Sequence, residues 1–254
     1  MRYRLDVAYH GRDFHGWQKQ PGLRAVQGEL EMWISRLLDS DSAVAITGAG
    51  RTDAGVHALA LPAHFDSPAP IDEVHLQHRL RAALPQDMSI LRLHRVADDF
   101  HARYSAIARR YTYKIHLGAW PFDRDREWQI HKLLDFGTLR ASAAAVLGQH
   151  DFSGFCRTIS QRENNRCHVT ESRWDMDGDR LIYTVRADRF LHEMVRLMVG
   201  TFVASAWGRW TPDHIPEILR SGDVRLCGDA APPHGLTLEK VEYPAGVGEP
   251  ADFD

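Results

Sequence analysis

Apolar positions along the chain follow two periods, and the changes between them mark out a series of elements. Residues 4–9 alternate apolar and polar, as a half-buried strand does. Val26, Leu30, Trp33, Ile34, Leu37 and Leu38 then recur at helical spacing, which predicts an amphipathic helix over 25–39. A short strand is expected at 43–47 and a glycine-punctuated loop at 48–55. A strand at 59–65, a helix at 74–84 that stops before Pro85, and a strand at 89–95 follow. The order in this half is βαββαβ.

The pattern then repeats. Residues 110–117 alternate as a strand, and 133–147 read as an alanine-rich helix. Residues 168–176 and 180–187 form a hairpin across Asp177-Gly178-Asp179, a good turn signal. A long helix is expected over 190–207, with Leu191, Met194, Val195, Met198, Val199 and Phe202 on one side. A shorter helix follows Pro212, and 236–243 closes as a strand. The reading is α+β: two ferredoxin-like βαββαβ halves, divided at 1–104 and 105–254, each with helices on one sheet face. Two open faces set side by side would form a central cleft suited to a large substrate.

Composition narrows the class. Of 254 residues, 44% are hydrophobic and 26% charged, which excludes wholesale disorder. No window approaches ~18 uninterrupted apolar residues, so no membrane span is expected. The first residues lack the apolar stretch of a signal peptide. Cys156, Cys167 and Cys227 are too few and too scattered for a disulfide framework, and a cytoplasmic location is the simplest reading. The tail from 244 to 254, rich in Gly, Pro and acid, reads as frayed. The net charge of −3 does not itself point to nucleic acid, but its distribution does. Only Lys19, Lys114, Lys132 and Lys240 among the 31 basic residues are lysine. Arginine offers a planar fork that fits phosphate and stacks on bases. Arg79, Arg81, Arg92, Arg95, Arg103, Arg109 and Arg110 fall close together, a basic run that can face RNA on an acidic chain.

The most unusual segment is Thr47-Gly48-Ala49-Gly50-Arg51-Thr52-Asp53-Ala54-Gly55-Val56-His57-Ala58. Its glycines mean tight turns or close approach of another group. No Gly-Lys-Ser/Thr follows, so it is not a phosphate-binding P-loop. One carboxylate, Asp53, stands between Thr52 and the glycine turn. As residues alone, it is either a reactive carboxylate or an Asp that forms an Asx turn.

The string Gly-Arg-Thr-Asp-Ala-Gly-Val-His resembles the catalytic signature of the tRNA pseudouridine synthase A family. The resemblance extends over nearly the whole chain. Asp6–Gly11, Phe14–Gln18 and Val26–Glu31 resemble its N-terminal block. Asp99–Arg103 and Ala108–Tyr113 resemble its middle block, and Arg189–Arg196 with Pro233–Leu236 its C-terminal blocks. The resemblance implies a pseudouridine synthase fold and isomerisation of uridine to pseudouridine at tRNA positions 38, 39 and 40, in the anticodon stem-loop. It implies no cofactor, no metal, and a homodimer whose RNA clefts use both subunits. By the same matching, Asp53 is the catalytic aspartate and Tyr111 the active-site tyrosine. Arg196 is the arginine that pairs with the aspartate, and Arg51 the loop arginine that takes the space of the everted base.

These residue types suit the chemistry. A carboxylate with a reference pKa of about 3.9 is ionised near neutral pH and can act as nucleophile or as partner to positive charge on the sugar. A cation such as Arg196 keeps it ionised when a base seals the pocket. Tyr111 offers a flat face and a hydroxyl within reach of the C5 proton. A stacked uracil must be flipped out, and a side chain that fills the gap lowers that cost.

The plainer readings are also definite. Arg196 on an apolar helix face would otherwise be a snorkelling surface residue. Tyr111 would be strand packing, and Tyr113, on the same face, is read as core. His57 and His192 are read as structural or RNA-contacting. Cys156, Cys167 and His168 have poor zinc spacing and no evident fourth ligand. Two rivals compete: a catalytically silent tRNA-binding protein on the same fold, and a phosphotransferase. The retained Asp53, Tyr111 and Arg196 oppose the first, and the absence of a loop lysine and a carboxylate pair opposes the second.

Overall fold

The computed structural model describes residues 1–40, 43–161 and 163–250. The chain is α+β and divides into two compact units, Met1–Ile107 with Leu238–Asp254, and Ala108–Thr237. The first boundary lies three residues beyond the expected division at 104. The C-terminal segment, expected with the second half, belongs to the first unit.

The first unit contains β1 (Arg2–Tyr9), α1 (Val26–Leu37), β2 (Thr47–Gly48), β3 (His57–Asp66), α2 (Glu73–Ala83) and β4 (Met88–Val96). Its strands run in the order β4-β1-β3-β10, where β10 is Leu236–Glu242, and β2 pairs with β3. β1 is antiparallel to both neighbours, with Leu5 opposite Ala63 and Leu93. Tyr3, Leu5, Val7, Leu61, Ala63 and Phe65 are buried with Leu30 and Ile34 of α1 and Leu80 of α2. The expected strand at 43–47 shrinks to the pair Thr47–Gly48, opposite His64 and Ala63 of β3, because the Val44 and Ile46 N–H groups donate to Ser35 and Glu31 of α1 instead.

The residues that alternate with this core on β1 are charged yet buried. Arg4 pairs with Asp6 at 2.9 Å. Arg4 stands opposite His64 on one side and His94 on the other, so the three form a row across the sheet. The C-terminal segment supplies the polar partners this row needs: the Gly248 carbonyl accepts from Arg4 Nη1 at 3.0 Å and lies 2.9 Å from His94 Nε2. Residues 244–250 are therefore tied to the sheet rather than frayed. Residues 251–254 of the expected tail lie outside the described residues.

The second unit contains β5 (Ala108–Leu117), β6 (Trp128–Ile130), α3 (Phe136–Ala144), β7 (Gly148–Asp151), β8 (Arg166–Asp177), β9 (Arg180–Ala187), α4 (Met194–Ala206) and α5 (His214–Ser221). Its strands run in the order β5-β9-β8-β7, all antiparallel, and β6 lies parallel to the end of β5. Strands β6 and β7 have no counterpart in the sequence reading; three and four residues are too short for a period to show. The stretch 158–166, expected as loop, begins with a single tight turn at Thr158–Ser160. Residue 162 lies outside the described residues.

Two helices are shorter than their apolar runs. α3 starts at Phe136 because Asp135 caps it, accepting from the Thr138 N–H at 2.5 Å, and Leu133 is left exposed. α4 starts at Met194 because Glu193 has a left-handed backbone, φ 59° and ψ 7°. Leu191 is thus not on the helix. Nor is α4 apolar on one side only: every residue of it except Arg196 is buried.

Candidate active site

The loop 49–56 of the first unit is shaped by glycines on a neighbouring segment. The Ala49 N–H donates to the Pro62 carbonyl at 2.8 Å as the chain leaves β2. The Trp17 N–H donates to the Thr52 carbonyl at 3.1 Å, and the Gly55 N–H to the Phe14 carbonyl at 3.2 Å. A Cβ at Gly16 would stand 2.6 Å from the Thr52 carbonyl oxygen, and one at Gly11 would stand 2.0 Å from that of Val56. A Cβ at Gly48 would strike the Trp17 ring at 2.5 Å. No side chain but hydrogen fits at these places.

Asp53 lies in this loop between the backbone contacts of Thr52 and of Gly55. Its carbonyl accepts from the Val56 N–H at 3.2 Å, which closes a turn, and its side chain is half-buried. Thr52 beneath it is buried and shares a 2.8 Å hydrogen bond with the Tyr9 hydroxyl. Arg51, on the other side of Thr52, is exposed. His57, at the loop's exit, is buried; its Nδ1 accepts from the Gly11 N–H at 3.0 Å and its ring packs 4.4 Å from that of His10. That is a structural role in holding the loop.

Tyr111 and Arg196 belong to the second unit. Tyr111 sits on β5 opposite Val185 of β9 and is largely buried. The Phe190 ring meets it edge-on at 5.0 Å, which fixes the plane of the tyrosine. Two residues along the same face, Tyr113 is fully buried and donates to the Pro232 carbonyl at 2.8 Å. Burial raises its pKa well above the ordinary tyrosine value, the Arg196 charge opposing weakly. A Cβ at Gly235 would stand 2.6 Å from its ring. Tyr113 is therefore core, and the 232–235 turn packs on it.

Arg196 is no snorkelling surface residue. Its Nε donates to the Ala231 carbonyl at 2.8 Å, and its Nη1 is 2.9 Å from Glu193 Oε1. The second Glu193 oxygen pairs with Arg157. Arg51 and Asp53 thus share one unit, and Tyr111 and Arg196 the other.

Cys156 and Cys167 are buried thiols, the second pushed up by burial to about 12, while His168 is exposed. Among the described residues no group of three or more His, Cys, Asp or Glu is placed to hold a metal ion. The arginine run also divides. Arg81 donates to the Ile90 and Leu91 carbonyls, Arg79 to that of Leu37, and Arg110 pairs with Glu171. Sequence reasoning missed Glu193, whose left-handed backbone leaves no mark in the residue pattern, and the close approaches of Gly11 and Gly16; the close approach of Gly48 is one that its glycine-rich segment announced.

A glycine-backed carboxylate loop and an α+β chain with an aromatic strand and an inward arginine define a class, that of the RNA-modifying pseudouridine synthases. The family model described as tRNA pseudouridine synthase matches residues 7–105 and 142–244. This chain belongs to that family and has its fold. Asp53, Arg51 and Arg196 lie inside the matched stretches, and Tyr111 lies between them.

Among curated relatives, the tRNA pseudouridine synthase A of Bacteroides thetaiotaomicron is 36% identical over 250 residues, covering 97% of this chain and 92% of its own. That of Cereibacter sphaeroides is 39% identical over 251 residues, covering 96% and 98%. That of Bacillus licheniformis is 35% identical over 245 residues, covering 96% and 99%. A chain of the crystal structure of a Cbf5-Nop10-Gar1 complex aligns at 12% identity and a TM-score of 0.36, covering 93% of this chain and 58% of that one.

Proposed function

We propose that this enzyme isomerises uridine to pseudouridine in tRNA, at positions 38, 39 and 40 of the anticodon stem-loop, with Asp53 as the catalytic carboxylate. The observation that carries the reading is a single one: a family member holds Asp53 in a loop that packs its backbone against Gly11 and Gly16, where no side chain fits. Full-length similarity to enzymes named tRNA pseudouridine synthase A supports the substrate class.

In this reading the glycosidic bond breaks, the uracil turns, and C5 bonds to C1′. Asp53 acts as nucleophile or as ionic partner of the sugar. Arg196 keeps that carboxylate ionised once the base excludes water. Tyr111, its plane set by Phe190, receives the uracil and handles the C5 proton. Arg51, exposed beside Asp53, fills the stack that the flipped base leaves. The reaction is an isomerisation, so atoms balance without a cofactor. A cytoplasmic homodimer, in which one subunit holds the tRNA body while the other does the chemistry, completes the proposal.

The test is pseudouridine mapping on a tRNA with uridine at the three positions. The wild-type protein is expected to convert them. Asp53→Asn, which keeps shape and polarity, is expected to bind the tRNA and lose turnover by roughly a thousandfold or more. Conversion by Asp53→Asn at a rate near wild type would overturn the assignment. Tight tRNA binding with no turnover by the wild type would favour the silent-binder alternative.

A further inference from the structure

Glu193 is one of two non-glycine residues with positive φ among those described. A left-handed glutamate is uncommon and persists only where its surroundings impose it. Helix capping does not explain it. A capping residue has an extended backbone and a side chain that accepts from the first turn, and Glu193 has neither. Nor is it an ordinary helical ion pair with the residue three along, because Glu193 is outside the helix.

The conformation instead delivers the carboxylate to two guanidinium groups. One oxygen lies 2.9 Å from Arg196 Nη1 and the other is bonded to Arg157 Nε. The side chains of Glu193 and Arg196 are only 8% and 13% exposed, so the pair is shielded and its geometry counts. The Ala231 carbonyl holds Arg196 Nε at 2.8 Å. At least two edges of the guanidinium fork are thus set by groups of its own unit, which fixes the direction of the rest.

We propose that Glu193 is a positioning residue for Arg196 in the isomerisation, its strained backbone being kept because it aims the arginine. The proposal rests on the reading above, in which Arg196 holds the reactive carboxylate ionised. It adds that the aim of Arg196 is set by Glu193, and that Arg157 anchors Glu193 from the far side.

The experiment uses full-length protein, single-turnover pseudouridine formation, tRNA affinity and thermal unfolding. Glu193→Gln keeps the shape and removes the charge. Glu193→Gly removes the side chain but accepts the left-handed backbone without strain, which guards the fold. Both are expected to lower the single-turnover rate roughly tenfold or more, with tRNA affinity within about threefold of wild type. The unfolding temperature of Glu193→Gly is expected to fall less than that of Glu193→Gln, because relief of the left-handed strain offsets part of the lost ion pair. Glu193→Asp, which tolerates the same backbone and keeps the charge, is expected to recover part of the rate.

Single-turnover rates within twofold of wild type for both Gln and Gly variants would overturn the proposal. So would losses that track a fall in unfolding temperature in both, the mark of a merely structural role. Both results leave the proposed activity standing. A wild type that forms no pseudouridine removes that activity and this inference with it.

Discussion

Asp53 is placed by residues that carry no functional group. The Thr52 carbonyl and the Val56 carbonyl on either side of it lie where Gly16 and Gly11 leave room. Gly16 also has φ 81°, a conformation that a side chain opposes. Gly16→Ala is therefore expected to strain its own backbone and push Thr52 away together. A cost of about 2–4 kcal/mol follows from a disfavoured dihedral plus a core clash. Urea unfolding checks the stability. The single-turnover rate, measured below the unfolding transition, checks whether the displaced loop also loses catalysis; an unchanged rate would show that Thr52 can move without Asp53.

At the scale of elements, the face of the first sheet that carries Arg4, His64 and His94 behaves as a polar layer closed by the C-terminal segment. His64 Nδ1 accepts from the Ala102 N–H at 3.1 Å, a bond that only the neutral ring protonated at Nε2 can take. Burial first, and then the charges of Arg2 and His101, lower its pKa to about 4, with Asp66 opposing. The unfolded chain binds a proton below about pH 6.5 that the folded chain refuses until about pH 4. The stability this imidazole confers is therefore whole above pH 6.5 and lost as pH falls towards 4, to the extent of about 2–3 kcal/mol. His64→Asn retains an acceptor near the position of Nδ1 and cannot titrate. Wild type is expected to lose more stability than this variant between pH 7.5 and 4.5, by urea unfolding. Equal losses would mean that other groups govern the acid limb.

At the scale of the whole molecule, a net charge of −3 must coexist with a polyanionic substrate. Several arginines of the run from Arg79 to Arg110 are engaged with carbonyls or carboxylates. Those that reach phosphate each contribute a slope of roughly −0.7 to −0.9 in log K against log salt. tRNA affinity is expected to fall with a slope of about −3 or steeper if four or more phosphates are neutralised. A titration from low to moderate salt measures it, and a flat response would show that the run faces away from the substrate.

The amino-acid sequence by itself determined the elements whose residues meet a partner close by in the chain. The second strand of the hairpin, 180–187, ends where its alternation ends, at Ala187, and α1 and α2 lie within two residues of their apolar periods. The residues of the loop Gly-Arg-Thr-Asp-Ala-Gly-Val-His left Asp53 open between a reactive carboxylate and an Asx turn, and the loop became a candidate site through its resemblance to the family signature. Tyr113 was legible as core from its strand face. Only the tertiary structure decided what depends on distant residues. Strands β6 and β7 exist because β5 and β8 offer them edges. The C-terminal segment is ordered because Arg4 and His94 need the Gly248 carbonyl. The first turn expected of α4 is absent because Glu193 turns left-handed to meet Arg157 and Arg196. Periodicity records which side of an element is buried; it holds no record of which distant group a buried charge must find.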